Sequence, residues 1–218
     1  MNVPVDQLIT DLKQFIRPFY PDMDIQAVPW DQDPSRLAIY FREARFVPLY
    51  PYQRWHALTH LIPEDYQNEA LESAVWFELA PGERPEDLQF PDEDLIDSIT
   101  PAVMKCLVQS RFFDLLDDAI CPQDSQQERV RCCGDFRQSR PLLLRRGFTE
   151  NELFDVFHVL MRQGGFCDCE ILYNAVEQSR LKSEYWTART EEIEPYDPHT
   201  GSSQDRSCKD PGGAMRNS

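Results

Sequence analysis

Apolar positions along the chain recur with two different periods, and their order predicts a layered α+β protein. Val5, Leu8, Leu12, Phe15 and Ile16 have the spacing of one helical face, and Pro18 and Pro21 end that helix. "DIQAVPW" (24–30) predicts a short strand. "RLAIYF" (36–41) alternates more clearly, with Leu37, Ile39 and Phe41 on one side and Ala38 and Tyr40 on the other. "PYQRWHALTHLI" (51–62) predicts a helix with Trp55, Leu58 and Ile62 inward. Pro63 interrupts it, and a short helix restarts in "EDYQNEALES". "AVWFELAPGE" (74–83) predicts a third strand ending in a Pro-Gly turn, and residues 82–97 an acidic connection broken by prolines. Thr100 followed by Pro101 predicts a helix start, because proline loses no hydrogen bond at the first helical position. That helix reaches about Ile120 and carries Val103, Leu107, Phe113 and Leu116.

The order helix, strand, strand, helix, strand, helix is similar in topology to the small BolA and type II KH-like folds. The glycine loop of a KH clamp is absent, so no function is carried over. Polar, irregular "CPQDSQQERVRCC" (121–133) marks the expected domain boundary. After it, Ser139 opens a short helix ending at Gly147. Next comes "FTENELFDVFHVLMRQGG", in which Thr149 and Glu152 form a capping box and Phe148 and Leu153 can form a hydrophobic staple. Leu153, Val156, Phe157 and Leu160 line one face, and Gly164 suits a left-handed helix end. The two helices make a helical hairpin, followed by "VEQSRLKSEYW" as a further helix. The division expected is an α+β domain at 1–120, a linker at 121–131, a cysteine-containing helical-hairpin module at 132–189 and a disordered acidic tail at 190–218.

Composition narrows the function classes. Across 218 residues the formal net charge is −16 and the pI about 4.6, a field that repels phosphate backbones. The one basic cluster, "RQSRPLLLRR" (137–146), has the pattern of an exposed helix side, so nucleic acid is not an expected partner. No apolar run approaches the roughly 20 residues of a membrane span, and the N-terminal stretch lacks a signal-peptide core. A soluble, cytoplasmic protein without membrane contact is expected. Seven cysteines (106, 121, 132, 133, 167, 169 and 208) are then thiols or metal ligands rather than disulfides.

The chemistry concentrates in "GGFCDCEILYN" (164–174). As a strand it places Cys167, Cys169, Ile171 and Tyr173 on one side; as a helix start it makes Asp168 a cap and puts Cys169 in the first turn. The alternation favours the strand, on which the two cysteine Cα atoms lie about 6–7 Å apart. Thiolates converging this way can hold zinc if further ligands arrive. Cys132 and Cys133 are the candidates, returned to the pair by the hairpin between them. Consecutive side chains diverge, so one of these two is expected to matter. Against the metal stands simple packing, since free cysteine behaves as a small buried hydrophobe. A redox role is weaker still, because C-x-C lacks the C-x-x-C spacing of thioredoxin-like proteins and no basic residue stands beside it.

This stretch resembles a bacterial family of unknown function marked by Gly-Gly-aromatic-Cys-Asp-Cys-Glu-aliphatic, with an upstream Cys-x-His and Leu-Arg-x-Thr. Gly164 to Ile171 match the downstream motif, Cys132 falls on the upstream cysteine, and "FRQS" (136–139) stands where Leu-Arg-x-Thr would be. The resemblance spans about residues 130–175. Gly134 occupies the histidine position, so the ligand set it implies keeps only Cys132, Cys167 and Cys169, with Cys133 or Asp135 for a fourth. The family carries no established activity, so the resemblance implies no reaction.

Other residues carry less. His56 and His60, four apart on a helix, could hold zinc, but "HALTH" lacks the glutamate a metalloprotease places after the first histidine. His158 reads as a packed histidine, and the carboxylates of "FPDEDLID" and "FDLLDDAI" as solvated surface. The sequence therefore supports a non-enzymatic protein open to a protein partner, in which Cys132, Cys133, Cys167 and Cys169 are either packed thiols or a structural zinc cluster. The competing reading is a thiol-based redox protein or enzyme using Cys167 or Cys169.

Overall fold

A computed structural model describes residues 4–68, 74–122 and 132–192. The α+β architecture holds, with helices and strands in the expected order. Helix α1 (Val5–Ile16) precedes the strands β1 (Asp24–Trp30) and β2 (Asp33–Arg42). Helix α2 (Pro51–Thr59) and the single turn α3 (Glu64–Tyr66) lead to β3 (Ala74–Leu79). The sheet order is β1-β2-β3, with β1 antiparallel and β3 parallel to β2. Ile25 pairs with Phe41, and Phe41 with Glu78 in parallel register, so these three side chains share one face of the sheet. Leu8, Leu12 and Ile16 of α1, Leu58 of α2 and Ile62 close over that face in one buried cluster with Ile25, Ile39, Phe41 and Phe46.

Five more helical elements follow: α4 (Glu93–Gln109), α5 (Phe112–Ile120), α6 (Ser139–Arg145), α7 (Glu150–Arg162) and the single turn α8 (Asp168–Glu170). A wide turn at Ile171–Ala175 leads to α9 (Arg180–Glu192). The predicted acidic tail from 193 onward lies outside the described residues, and residues 190–192 belong to α9. Leu107 of α4 and Phe112, Leu116 and Ile120 of α5 are buried with Leu143, Leu153, Phe157, Leu160 and Leu172 in a second cluster. The sequence pattern attaches α4 and α5 to the sheet, yet their buried side chains face this second core.

Three local expectations are corrected. The helix predicted to begin at Thr100 begins two turns earlier, where the Asp92 side chain accepts from the Leu95 amide. Pro101 therefore lies inside α4. Those two turns are anchored from outside by buried Ile96, by Tyr52 donating to Glu93 and by Arg162 paired with Asp97, which offsets the missing backbone bond. The single helix expected up to Ile120 is two, because Arg111 adopts a left-handed conformation (φ +56°) that turns Phe112 into the core. Trp55 was expected inward and is half exposed. Its neighbour Arg54 takes the interior instead, donating to the carbonyls of Leu49 and Glu78 and pairing with Glu83.

Glu78 is buried on the helix-covered face of the sheet, and its Oε1 has no hydrogen-bond partner. Burial raises its pKa from 4.5 to about 7, with Arg54 opposing the shift. An acid whose pKa is higher when folded takes up a proton on folding between those values. Its stabilising contribution is whole below about pH 4.5 and is lost as pH rises to about 7. Glu78→Gln should match the parent near pH 4 and exceed it by roughly 3 kcal/mol at pH 8. Urea unfolding at both pH values checks this, and parallel profiles would remove the buried proton from the account.

Candidate functional site

The motif "GGFCDCE" begins where α7 ends. Gly164 (φ +82°) donates to the Met161 carbonyl and Gly165 to the Leu160 carbonyl, the paired bonds of a Schellman end. The second glycine has a different reason. A Cβ on Gly165 would lie 2.9 Å from Ile171 Cγ1 and 3.1 Å from Ile171 Cα, so only glycine permits that approach. The α7 start is as the sequence predicts, with Thr149 and Glu152 capping each other.

Cys167 then sits in extended backbone as the N-cap of α8, and residues 168–175 are helical turns. The strand expected for this stretch is corrected to the helix-start alternative. Two carboxylates explain it. Glu170 Oε2 accepts from the Phe166 amide (3.0 Å), closing the turn on itself. Asp168 reaches 30 residues back to the start of α6, accepting from the Gln138 amide (2.8 Å), the Ser139 amide (3.0 Å) and the Ser139 hydroxyl. A strand would leave these donors without an acceptor at the buried end of α6. The Asp168 amide donates in turn to the Asp135 carbonyl (3.1 Å). Burial pushes the Asp168 carboxyl above its ordinary value, and the bonds from Ser139 and Gln138 pull the other way.

These contacts bring the loop at 132–138 against α8, and the sulfurs follow. Cys132 Sγ lies 3.5 Å from Cys167 Sγ. Cys169 stands near enough to Cys132 and Cys121 for both to push its thiol above the ordinary value. Cys167, Cys169 and Cys121 are buried, while Cys132 and Cys133 are exposed. Cys133 lines a shallow cleft together with Cys132, Arg137, Asp168 and Cys169. The bond to Cys132 and burial both push the Cys167 and Cys169 thiols well above the ordinary thiol value, so neither is an activated nucleophile in this state. Of the four predicted ligands, Cys132, Cys167 and Cys169 are brought together and Cys133 stands at the rim. Asp135 is held by Arg137 through both oxygens. Among the described residues no group of three or more His, Cys, Asp or Glu side chains has an arrangement that could hold a metal ion.

The motif is also read from the N-terminal layer. Gln53 Nε2 donates to the Phe166 carbonyl (2.7 Å). His56 stacks on the Phe166 ring at 3.9 Å, and its Nε2 is 3.3 Å from Glu170. The histidine pair therefore serves packing, with His60 Nδ1 placed 2.8 Å from the His56 carbonyl. His158 is buried beside Phe154 and Tyr50, as expected of a packed histidine. Sequence reasoning missed Cys121, Gln53 and the capping role of Asp168. Only Ser139 gave a signal for the last, as a helix-start residue with Leu142 where a capping box would place Glu or Gln.

Asp168→Asn keeps the shape but offers one acceptor oxygen where three donors converge, and turns an amide toward donors. Charge-assisted bonds of this kind contribute about 1.5–3 kcal/mol each. A loss of roughly 2–4 kcal/mol in urea unfolding is expected, against under about 1 kcal/mol for Arg140→Gln, which removes the exposed pair with Glu150 and a surface-side contact to the Tyr50 hydroxyl. Equal losses would show that Asp168 does not hold α6.

Residues 120–174 match the model of a family described as a protein of unknown function, DUF2695. Neither a search of the curated proteins nor a search of the solved structures finds a match. The chain thus carries a DUF2695 domain over the segment that contains the sulfur cluster, α6, α7 and the "GGFCDCE" turn.

Proposed function

We propose that the segment matched to DUF2695 is a non-catalytic module closed by one structural zinc ion on Cys132, Cys167 and Cys169, in a cytoplasmic protein that works by binding another protein. The observation that carries this reading is the 3.5 Å separation of the Cys132 and Cys167 sulfurs. Two thiolates on one tetrahedral zinc, with Zn–S near 2.3 Å, stand about 3.8 Å apart. That is close to the spacing here, and Cys169 is within hydrogen-bonding reach of the same Cys132. Asp135 is occupied by Arg137, which leaves Cys133 at the rim or Cys121 beneath as the fourth ligand. The described side chains fall short of a formed metal site, so binding would draw Cys132 inward. A reducing compartment would keep these sulfurs available. No helix among the described residues is long and apolar enough to cross a membrane.

The same 3.5 Å pair favours one second reading, a reversible Cys132–Cys167 disulfide, which needs the sulfurs to close to about 2.05 Å. Elemental analysis of protein purified without chelator separates the two. About one zinc per chain is expected, lost in Cys132→Ser and Cys167→Ser and kept in Cys106→Ser, whose cysteine is exposed on α4. Metal-free protein in which mild peroxide consumes two thiols, blocked by Cys132→Ser, would establish the disulfide instead. Metal-free protein inert to peroxide would leave the cysteines as packing.

A further inference from the structure

A second concave site lies away from the sulfurs, between the two cores. A cleft of about 150 Å³ opens where α2, the start of α4 and the end of α7 meet. That volume holds a single six-membered ring. Its walls are aromatic, with Tyr52 and Trp55 from α2 and Phe166 from the turn after α7. Trp55 is half exposed, and Phe90, also exposed, stands edge-on to Tyr52 at 5.6 Å. Phe166 is held from behind by the His56 stack and the Gln53 bond to its carbonyl, so this wall is set before any ligand arrives.

The polar groups of the cleft are biased toward accepting. Glu93 offers a carboxylate at the rim, already oriented by the Tyr52 hydroxyl, which donates to it at 3.0 Å. Arg162, the one cation among the described lining residues, is neutralised by both oxygens of Asp97 at 3.0 and 3.1 Å. His158 is 2% exposed, and its Nδ1 lies 2.6 Å from the Phe154 carbonyl. Nδ1 must therefore carry the proton, which makes Nε2 of the neutral ring an acceptor, and Nε2 has no hydrogen-bond partner. Burial lowers the pKa of this histidine and keeps the ring neutral near pH 7. Glu93, Arg162 and Asp97 together leave one net negative charge at a mouth walled by π faces. Aromatic faces attract cations, and a chain of net charge −16 steers them in.

We propose that this cleft binds a small organic ammonium ion, a protonated amine carried on a single ring or an aliphatic body of that size. The apolar body lies against Trp55 and Phe166, and the ammonium group meets Glu93 and the ring faces. This does not rest on the zinc reading, since none of the lining residues is a cysteine.

Isothermal titration of the full chain in about 0.15 M salt tests it with three probes of one shape: 2-phenylethylammonium, 2-phenylethanol and phenylacetate. The ammonium should bind at least about tenfold more tightly than the alcohol, and the carboxylate weakest of all. Glu93→Gln, at an exposed position, should bring the ammonium down to the affinity of the alcohol. Trp55→Ala, likewise exposed, should weaken ammonium and alcohol alike by about tenfold or more while circular dichroism stays unchanged. The proposal is overturned if none of the probes binds at millimolar concentration or if alcohol and ammonium bind equally. It also fails if the preference for ammonium survives Glu93→Gln, since the overall charge of the chain would then be its source.

Discussion

The C-terminal half of this protein is organised by one buried carboxylate. Helix α6 has no capping side chain at its own start, because Gln138 makes no such bond. Asp168 supplies the missing acceptor from 30 residues away and satisfies two amides and the Ser139 hydroxyl at once. Carrying that charge into the interior costs free energy, visible in the upward pressure on its pKa. The donors at the helix start offset the cost. Because the Asp168 amide also reaches the Asp135 carbonyl, the loop carrying Cys132 is clamped at two points, and its sulfur is delivered to Cys167 as a by-product of capping.

Local chemistry made several elements legible in the sequence. The Thr149–Glu152 box and Gly164 set both ends of α7, because each depends on neighbours within a few residues. The α1 face and the alternation of β2 were readable for the same reason: Leu8, Leu12 and Ile16 are buried on one side, and Ile39 and Phe41 on another. What failed depended on distant partners. The alternation in "CDCEILY" looks like a strand when the partner of Asp168 is unknown. Pro101 looks like a helix start when the outside anchors of Ile96 and Asp97 cannot be seen. Trp55 has the position of a core residue by periodicity, and Arg54 displaces it only because carbonyls of Leu49 and Glu78 await its guanidinium. The convergence of Cys132 with Cys167 and Cys169 was legible from hairpin geometry. Cys121 was not, since nothing in its own neighbourhood marks it.

The "GGFCDCE" turn works as a joint between layers. Its first glycine ends α7, its second admits Ile171, its phenylalanine carries the His56 stack, and its glutamate closes the turn and faces His56. Tyr50, at the start of α2, inserts its ring among Phe136, Phe154, Phe157 and His158. The sheet layer and the helical cluster are thereby tied through α2, whose side chains reach both. The aromatic cleft is a by-product of this joint, lying in the seam where curved surfaces cannot close completely.

The membership of α4 and α5 in the second core has an evolutionary consequence. The segment matched by the family model starts at residue 120, yet Leu107, Phe112 and Leu116 form part of the wall against which its helices pack. A stretch excised at that limit would present a bare apolar flank to water. Wherever this segment is transplanted by recombination, it must bring its two preceding helices or find a replacement wall on the host chain. The boundary of sequence likeness and the boundary of the packed core are therefore different here.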